Sequence, residues 1–590
     1  MDLLRSVKDR TDETEFYTPL PDGYTLGSTK YVVVFGTVIS GLGKGIFSSS
    51  LAKLLKDKHL RISPIKLEGY LNIDSGTLNP FRHGEVFVLD DGMETDMDLG
   101  TYERMLDQDL TRQNFATSGQ IYSTVLAKER AGTYLGRDVQ MIPHVTGEVK
   151  LRLRELAVRS RADVVFIEVG GTVGDIENAF YIEAMRELSY EEGEGSVVFV
   201  ALTYVLTPSA LGEQKSKAAQ LGIKRLMEFG IHPHILACRA EQPVLEKVRQ
   251  KLAVYTNVPM RRVFSMHDLP SIYLLPSIMR EEGLDSELVQ LLNLGGRVNS
   301  AHELRAASEW HRFSSRIGHA SQEVSIGITG KYTALRDSYA SIIKALEHAG
   351  VANDAKVNVE WIDTTDIHDG NVVKALETVD GIIVPGGFGT RGSEGKISCI
   401  GHARRNKLPY LGICLGFQMA VVEYARHMAN LEGANSSEMD PDCKHPVIDI
   451  LPEQKKIEGL GGNMRLGGQD VTLTPGTLAA ELFPGADQVR MRFRHRYEVD
   501  PRYLDPLTQA GLIFSGCHPH HPIMQILELP REVHPFFIGV QFHPELTSRP
   551  LRPSPLFVGL VKAALERKSK AGKEEAGMQG MHGIKAKQEG

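Results

Sequence analysis

The chain predicts α/β architecture built twice: two doubly wound domains, each on a mostly parallel sheet. Three observations predict it. β-Branched runs alternate with helical stretches from Tyr31 onward, the alternation breaks into polar sequence around residues 294–322, and a second alternating series opens at Val324. Strands buried on both faces read as continuous apolar runs, and strand–helix alternation orders them in parallel. At 590 residues the chain exceeds what one hydrophobic core can serve, so two or more domains are expected.

The first 30 residues are polar, with Pro19, Pro21 and Gly23, and predict a surface arm over 1–30. Tyr31-Val32-Val33-Val34-Phe35 reads as a buried strand. Residues 46–56 carry apolar positions three and four apart, the spacing of a helix. Residues 163–168 and 196–202 are further apolar strands, which assigns 31–297 to a first domain. A Gly-Gly pair and several serines mark 298–322 as an interdomain linker with some helix. Val324-Ser325-Ile326-Gly327-Ile328 and Gly381-Ile382-Ile383-Val384 begin a second domain over 323–565. From residue 566 to 590 the sequence is Lys, Gly, Glu and Gln with almost no large apolar residue. Such a tail cannot bury enough surface to offset its ordering entropy and is expected to be disordered. No internal repeat is evident.

Composition narrows the class. A hydrophobic content of 42% and a charged content of 24% are ordinary for soluble globular protein. A net charge of −7 argues against nucleic-acid binding but leaves room for small anions held by local lysines and helix ends. The five cysteines are odd in number and lack paired metal-ligand spacing, which suits a reducing compartment. The N-terminus carries no apolar signal core, and no stretch approaches bilayer-spanning length. The expectation is a cytoplasmic protein with no membrane and no nucleic-acid partner.

After the Val-rich strand comes Gly36-Thr37-Val38-Ile39-Ser40-Gly41-Leu42-Gly43-Lys44-Gly45, then the helix. A glycine-rich loop in that place lets backbone N–H groups and the helix dipole surround a phosphate, with Lys44 reaching the outer phosphates. The match to G-x-x-x-x-G-K-[ST] is imperfect. Gly45 stands where a Ser or Thr hydroxyl normally touches Mg²⁺, so another ligand must be sought. Asp98, in the acid cluster Glu94-Thr95-Asp96-Met97-Asp98, and Glu168 at a strand end are the candidates.

A second chemistry sits in the other half. An apolar run, Pro409-Tyr410-Leu411-Gly412-Ile413, enters Cys414, with Gly416 two residues beyond and a helix-like stretch over 418–429. Strand, tight turn and helix lift a nucleophile from a sheet edge, and small neighbours tolerate the cramped backbone. A thiol at a helix N-terminus also gains from the positive end of the macrodipole. It needs a base and an orienting group. His543 and Glu545 offer both, and residues two apart share a face if that segment is extended. Pro385-Gly386-Gly387-Phe388-Gly389 follows another buried strand, and its N–H groups, with that of Leu415, can hold an oxyanion. Cys238, Cys399, Cys443 and Cys517 have no such company and read as small hydrophobes.

Four segments then become specific. Ser40-Gly41-Leu42-Gly43-Lys44-Gly45, His83-Gly84-Glu85-Val86-Phe87-Val88, Glu168-Val169-Gly170-Gly171-Thr172-Val173-Gly174-Asp175-Ile176-Glu177 and Asn430-Leu431-Glu432-Gly433-Ala434-Asn435-Ser436 closely resemble the CTP synthase family, in order, over about residues 31–565. The resemblance implies conversion of UTP, ATP and L-glutamine to CTP, with an amidoligase half and a class I glutamine amidotransferase half. It implies that Gly41, Leu42, Gly43, Lys44, Gly45, Ile46 and Lys66 hold ATP, with Asp98 and Glu168 on Mg²⁺. His267, Asp268 and Leu269 would lie by the adenine, although the family often has lysine at the first of these. Ser40, Asp175, Ile176, Glu177, Lys215, Ser216, Lys217, Ala218, Ala219, Gln220 and Lys251 would contact UTP or the feedback inhibitor CTP. The family pattern Lys-Thr-Lys-Pro-Thr-Gln appears here as Lys215-Ser216-Lys217-Ala218-Ala219-Gln220, so both lysines remain while one hydroxyl and the proline are lost. Gly387, Leu415, Gly416, Phe417, Gln418, Glu438 and Arg496 would recognise glutamine, and His83 would line an ammonia passage. GTP activation, with the Tyr134-Leu135-Gly136 loop a candidate participant, a homotetramer and filament assembly are implied in the same way. Two rivals stand beside this reading: an amidation enzyme with a different acceptor, as in dethiobiotin and cobyrinate relatives, and a catalytically silent filament subunit.

Overall fold

The computed structural model describes residues 17–210, 212–330, 336–387, 389–450 and 464–570. The chain divides into two compact units, the first comprising 1–77 with 98–314 and the second 78–97 with 315–590. The sequence partition at 297 and 323 is therefore changed twice. Ser300–Ser314, inside the expected linker, is a helix whose Trp310 and Phe313 are buried, and Trp310 Nε1 donates to the Tyr273 carbonyl at 3.0 Å. Residues 78–97 leave the first unit altogether and pack with the second.

The first unit is built on seven strands: β1 (Lys30–Gly36), β2 (Ile62–Glu68), β3 (Phe115–Thr117), β4 (Val164–Val169), β5 (Val197–Tyr204), β6 (Ile235–Ala240) and β7 (Val263–His267). Their order is β3-β2-β4-β1-β5-β6-β7, and every pairing is parallel. β1 lies between β4 and β5, where connections leave in opposite directions. Ligands of open α/β sheets bind at the carboxyl ends of strands at such a point. The helix α1 (Lys44–Asp57) follows β1. The described part of the expected arm, from Tyr17, does not stand free. Tyr17 and Tyr24 pack on the first core, and the Tyr24 hydroxyl donates to Glu192 at 2.7 Å. The remainder, 1–16, lies outside the described residues.

The large sheet of the second unit has nine strands among the described residues: β8 (Gln322–Gly330), β9 (Ala355–Asp363), β10 (Gly381–Val384), β11 (Tyr410–Ile413), β12 (Arg465–Leu473), β13 (Gln488–His495), β14 (Ile513–Cys517), β15 (Met524–Glu528) and β16 (Phe537–Val540). Their order is β9-β8-β10-β11-β16-β15-β14-β12-β13. β9 through β16 run parallel, and the wing from β15 to β13 is antiparallel. The parallel part alternates strictly: Ile383, Leu411 and Ile413 enter one core, while Ile382, Val384 and Tyr410 enter the other. Burial on both faces is what the unbroken apolar runs required. The last helix, 555–570, extends past the expected domain end at 565, and the rest of the tail lies outside the described residues.

Candidate functional site

In the first unit the backbone turns left-handed at Val38, Gly41 and Gly43, with φ of 75°, 72° and 81°. Such residues among right-handed ones turn successive N–H groups into an anion-binding concavity. A β-branched residue with positive φ is strained, and strain of this kind persists where the surroundings impose it. Ser40 and Gly41 are exposed, whereas Lys44 is buried and donates to the Gly171 carbonyl at 2.9 Å. Burial first, and then the Lys66 charge, push the Lys44 ammonium below its usual range.

Lys66 and Glu168 are cross-strand neighbours on β2 and β4, and Lys66 Nζ lies 2.9 Å from the Glu168 carboxylate. The same ammonium is hydrogen-bonded to Asp98 and lies 3.3 Å from Glu68. Burial and the Asp98 charge raise the Glu168 carboxyl to about 7, against the pull of Lys66 and Lys44. Burial would also raise Asp98, but Lys66 and Lys44 overcome it and hold that carboxyl below its ordinary value. The missing hydroxyl at Gly45 finds its explanation here. A Cβ at Gly45 would meet Asp98 Oδ1 at 2.6 Å, so the carboxylate occupies the space a Ser or Thr side chain would need. Two hard oxygen groups beside the phosphate loop suit Mg²⁺. Among the described residues no group of three or more His, Cys, Asp or Glu side chains is placed to hold a metal.

The remaining nucleotide candidates lie near the same sheet end. His267 closes β7, with its buried Nδ1 unpartnered, Leu269 is half-buried, and Asp268 pairs with Arg239. The 170–178 loop is tied to β1 by the Val173 N–H on the Gly36 carbonyl at 2.9 Å. In it Asp175 accepts the Thr172 N–H at 2.8 Å, and Ile176 and Glu177 are exposed. The helix α2 (Lys217–Glu228) approaches closely enough that a Cβ at Gly222 would strike Thr37 at 2.8 Å. Lys215 pairs with Glu213 at 2.6 Å on the surface, and Lys217 and Lys251 are exposed. Ala218 is half-buried. Ala219 is buried in the core, and Gln220 is buried against Ser216 at 3.0 Å, so these two turn inward from the lysines.

In the second unit Cys414 has φ 53° and ψ −102°, a strained turn between β11 and α3 (Leu415–His427). The glycines around it are steric necessities. A Cβ at Gly412 would meet the Tyr410 hydroxyl at 2.2 Å, and one at Gly416 would meet the Val384 carbonyl at 2.0 Å. His543 Nδ1 lies 2.7 Å from Glu545 Oε1. Sequence reasoning expected a shared strand face, but β16 ends at Val540 and His543 sits in the turn beyond it. The pair forms across a bend. Burial would depress the His543 imidazole, but the Glu545 carboxylate and the Cys414 sulfur outweigh it and raise it to about 10. The Glu545 carboxylate on Nδ1 thus favours the protonated ring. The Gly386–Gly387 loop borders the pair, since a Cβ at Gly386 would lie 3.1 Å from the His543 ring and 3.5 Å from Cys414 Cβ. Gly387 has φ 153°, and Phe388 lies outside the described residues.

A cavity of about 140 Å³ opens onto Cys414, His543, Glu545, Gly386 and Gly387. Its lining includes neither Leu415, Gly416, Phe417, Gln418, Glu438 nor Arg496. Leu415, Gly416 and Phe417 are buried in α3, and Gln418 donates to the Tyr497 carbonyl at 2.9 Å. Glu438 accepts the Gly389 N–H at 3.0 Å, beside the glycine loop, and Arg496 is half-buried two residues past Arg494, which does line the cavity. Sequence reasoning missed Glu85, Val86, Ser338, Tyr339 and Arg494 in this lining. Glu85 accepts the Ser341 N–H at 2.9 Å, at the start of the helix Ala340–Ala352, where a carboxylate offsets the dipole. His83 is exposed and outside the lining.

Comparison with known proteins assigns both halves. Residues 30–294 match the family model described as CTP synthase N-terminus, and residues 334–563 match that of class I glutamine amidotransferases. The CTP synthase of Thermococcus gammatolerans is 49% identical over 541 residues, 92% of this chain and 99% of its own. That of Thermus thermophilus is 46% identical over 547 residues, 92% of this chain and 98% of its own. Among solved structures, a Trypanosoma brucei CTPS glutaminase domain with bound acivicin is 34% identical, covering 41% of this chain and 94% of that one, with a TM-score of 0.39. With both family models in chain order and near-half identity along almost its whole length, the chain belongs to the CTP synthase family.

Proposed function

We propose that the chain aminates UTP to CTP at the expense of ATP, using ammonia released from L-glutamine. The uracil O4 is a poor leaving group, so its phosphorylation precedes attack by ammonia at C4 and departure of phosphate. Phosphoryl transfer asks for positioning and charge neutralisation. The 41–46 loop would cradle the ATP phosphates, Lys44 and Lys66 would offset developing charge, and Asp98 and Glu168 would hold Mg²⁺. The ion supplies further neutralisation of the phosphate oxygens. His267, Asp268 and Leu269 would border the adenine. Ser40, residues 175–177, the lysines 215 and 217, and Lys251 would receive UTP, or CTP as feedback inhibitor, with a homotetramer completing that exposed face.

Cys414, its thiol proton taken up by His543, attacks the glutamine carboxamide, and the tetrahedral adduct collapses to a glutamyl thioester. His543 donates a proton to departing ammonia and then accepts one from water, while Glu545 orients the ring. N–H groups of the glycine loop and of Leu415 stabilise the oxyanion, and Gln418, Glu438 and Arg496 recognise the amino acid. Ammonia then passes to the synthetase site. GTP as activator, filament assembly and a cytoplasmic location complete the reading. No described helix is long and apolar enough to cross a membrane. The observation that carries the proposal is the His543–Glu545 pair, 2.7 Å apart, sharing one cavity with Cys414. Its test is CTP formation from UTP and ATP, with glutamine and separately with ammonia. Absence of product with either nitrogen source would overturn it.

A further inference from the structure

Residues 78–97 fold as a short helical turn, Pro80–His83, and an antiparallel ribbon, Phe87–Val88 with Glu94–Thr95, within the second unit. The ribbon is held by one face of β13. Along that strand Met491 and Phe493 point into the core, and Arg490, Arg492 and Arg494 alternate with them. Arg490 grips Asp90 with Nε and Nη2, the latter at 2.9 Å. Arg492 donates to the Val88 carbonyl at 3.2 Å and lies over the Phe87 ring at 5.6 Å. Arg494 Nε donates to Glu94 Oε1 at 2.7 Å, with both side chains largely buried.

The backbone of the same strand faces the catalytic pair. β13 is the last strand of its sheet, so one row of its peptide groups lies outside the ladder. The Arg492 carbonyl accepts the His543 N–H at 2.8 Å, and the Arg494 carbonyl accepts the Cys414 thiol at 3.7 Å. A strand with a ladder on one side only needs a second hold if its carbonyls are to fix a thiol and a histidine. The ribbon is that hold.

We infer that Glu94 and Arg494 are positioning residues for glutamine hydrolysis: the carboxylate clamps the guanidinium, and through it the strand whose carbonyls seat Cys414 and His543. The inference rests on the triad proposed above. Misplacement of reacting groups by about 1 Å can cost on the order of a hundredfold in rate. In the full-length enzyme, Glu94→Gln is expected to lower the glutaminase kcat about ten- to a hundredfold while the KM for glutamine stays within about threefold. CTP formation from added ammonia should persist, which reports an intact fold. Arg494→Lys, which keeps the charge but not the fork, should retain more hydrolysis than Arg494→Ala. Arg490→Gln loosens the same ribbon at its exposed end and should stay within about twofold of the parent rate. A kcat for Glu94→Gln within twofold of the parent, or equal losses in Glu94→Gln and Arg490→Gln, would overturn the inference. Should Glu94→Gln lose the ammonia reaction too, Arg494→Lys against Arg494→Ala decides by the same kcat criterion. Cys414→Ala separates the two levels: if it still hydrolyses glutamine, the triad itself is wrong.

Discussion

In the first unit a strand ends at Gly36, turns through left-handed residues at Val38, Gly41 and Gly43, and enters a helix at Lys44. In the second a strand ends at Ile413, turns at Cys414 alone, and enters a helix at Leu415. Both turns exploit the positive end of a helix, one to gather an anion and the other to present a nucleophile. The difference lies in what surrounds them. Around Cys414 the partners are already in place, with His543 hydrogen-bonded to Glu545 at 2.7 Å. Around Lys44 two ammonium groups sit among the Glu68, Asp98 and Glu168 carboxylates, and burial with the Asp98 charge raises the Glu168 carboxyl to about 7.

That contrast breaks first at the nucleophile. Cys414→Ala should abolish glutamine-dependent CTP synthesis, by about 10⁴-fold or more, yet retain synthesis from ammonia. Loss of both, measured by CTP absorbance, would mean the two sites are not separable. Gly45→Ala tests the other side. Its methyl group would press on Asp98 Oδ1 at 2.6 Å, so synthesis from either nitrogen source should fall about a hundredfold while glutaminase turnover is kept.

Glu545→Gln sharpens the electrostatic half. His543 raised from 6.5 to about 10 contributes stability that is fully present below about 6.5 and lost as pH rises through about 10. Removing the carboxylate charge should therefore lower the melting temperature more at pH 6 than at pH 10. It should also move the alkaline limb of glutaminase activity to lower pH and cost about tenfold in kcat. A melting gap independent of pH would show that the charge does not set the histidine. Smallest is Lys215→Ala, expected to raise the KM for UTP about tenfold through one lost charge-assisted contact. An unchanged KM would remove this lysine from the pyrimidine site.

Much of both turns was legible because glycine is demanded there for reasons a sequence displays. Gly41 and Gly43 need positive φ, and Gly412 and Gly416 need the absence of a Cβ. The replacement of Ser or Thr by Gly45 was visible as a departure, but its cause, Asp98 lying in that space, is a tertiary fact. His543 and Glu545 were paired correctly for a reason that does not hold, since a bend rather than a strand brings them together. The ribbon was not legible at all. Two-residue strands carry no periodic signal, and nothing local says which sheet such a segment joins. A signal did exist in β13, where Arg490, Arg492 and Arg494 alternate with apolar residues and ask for acidic partners.

The ribbon also bears on how the gene could be cut. Because the glutaminase unit takes 78–97 from the amino-terminal half, a fragment starting at Ser315 would encode only part of it. That fragment would lack the Asp90, Val88 and Glu94 partners of three arginines on an edge strand, and its catalytic pocket would lack the wall formed by Glu85 and Val86. A transplantable glutaminase from this chain needs both coding segments, spliced or supplied in trans.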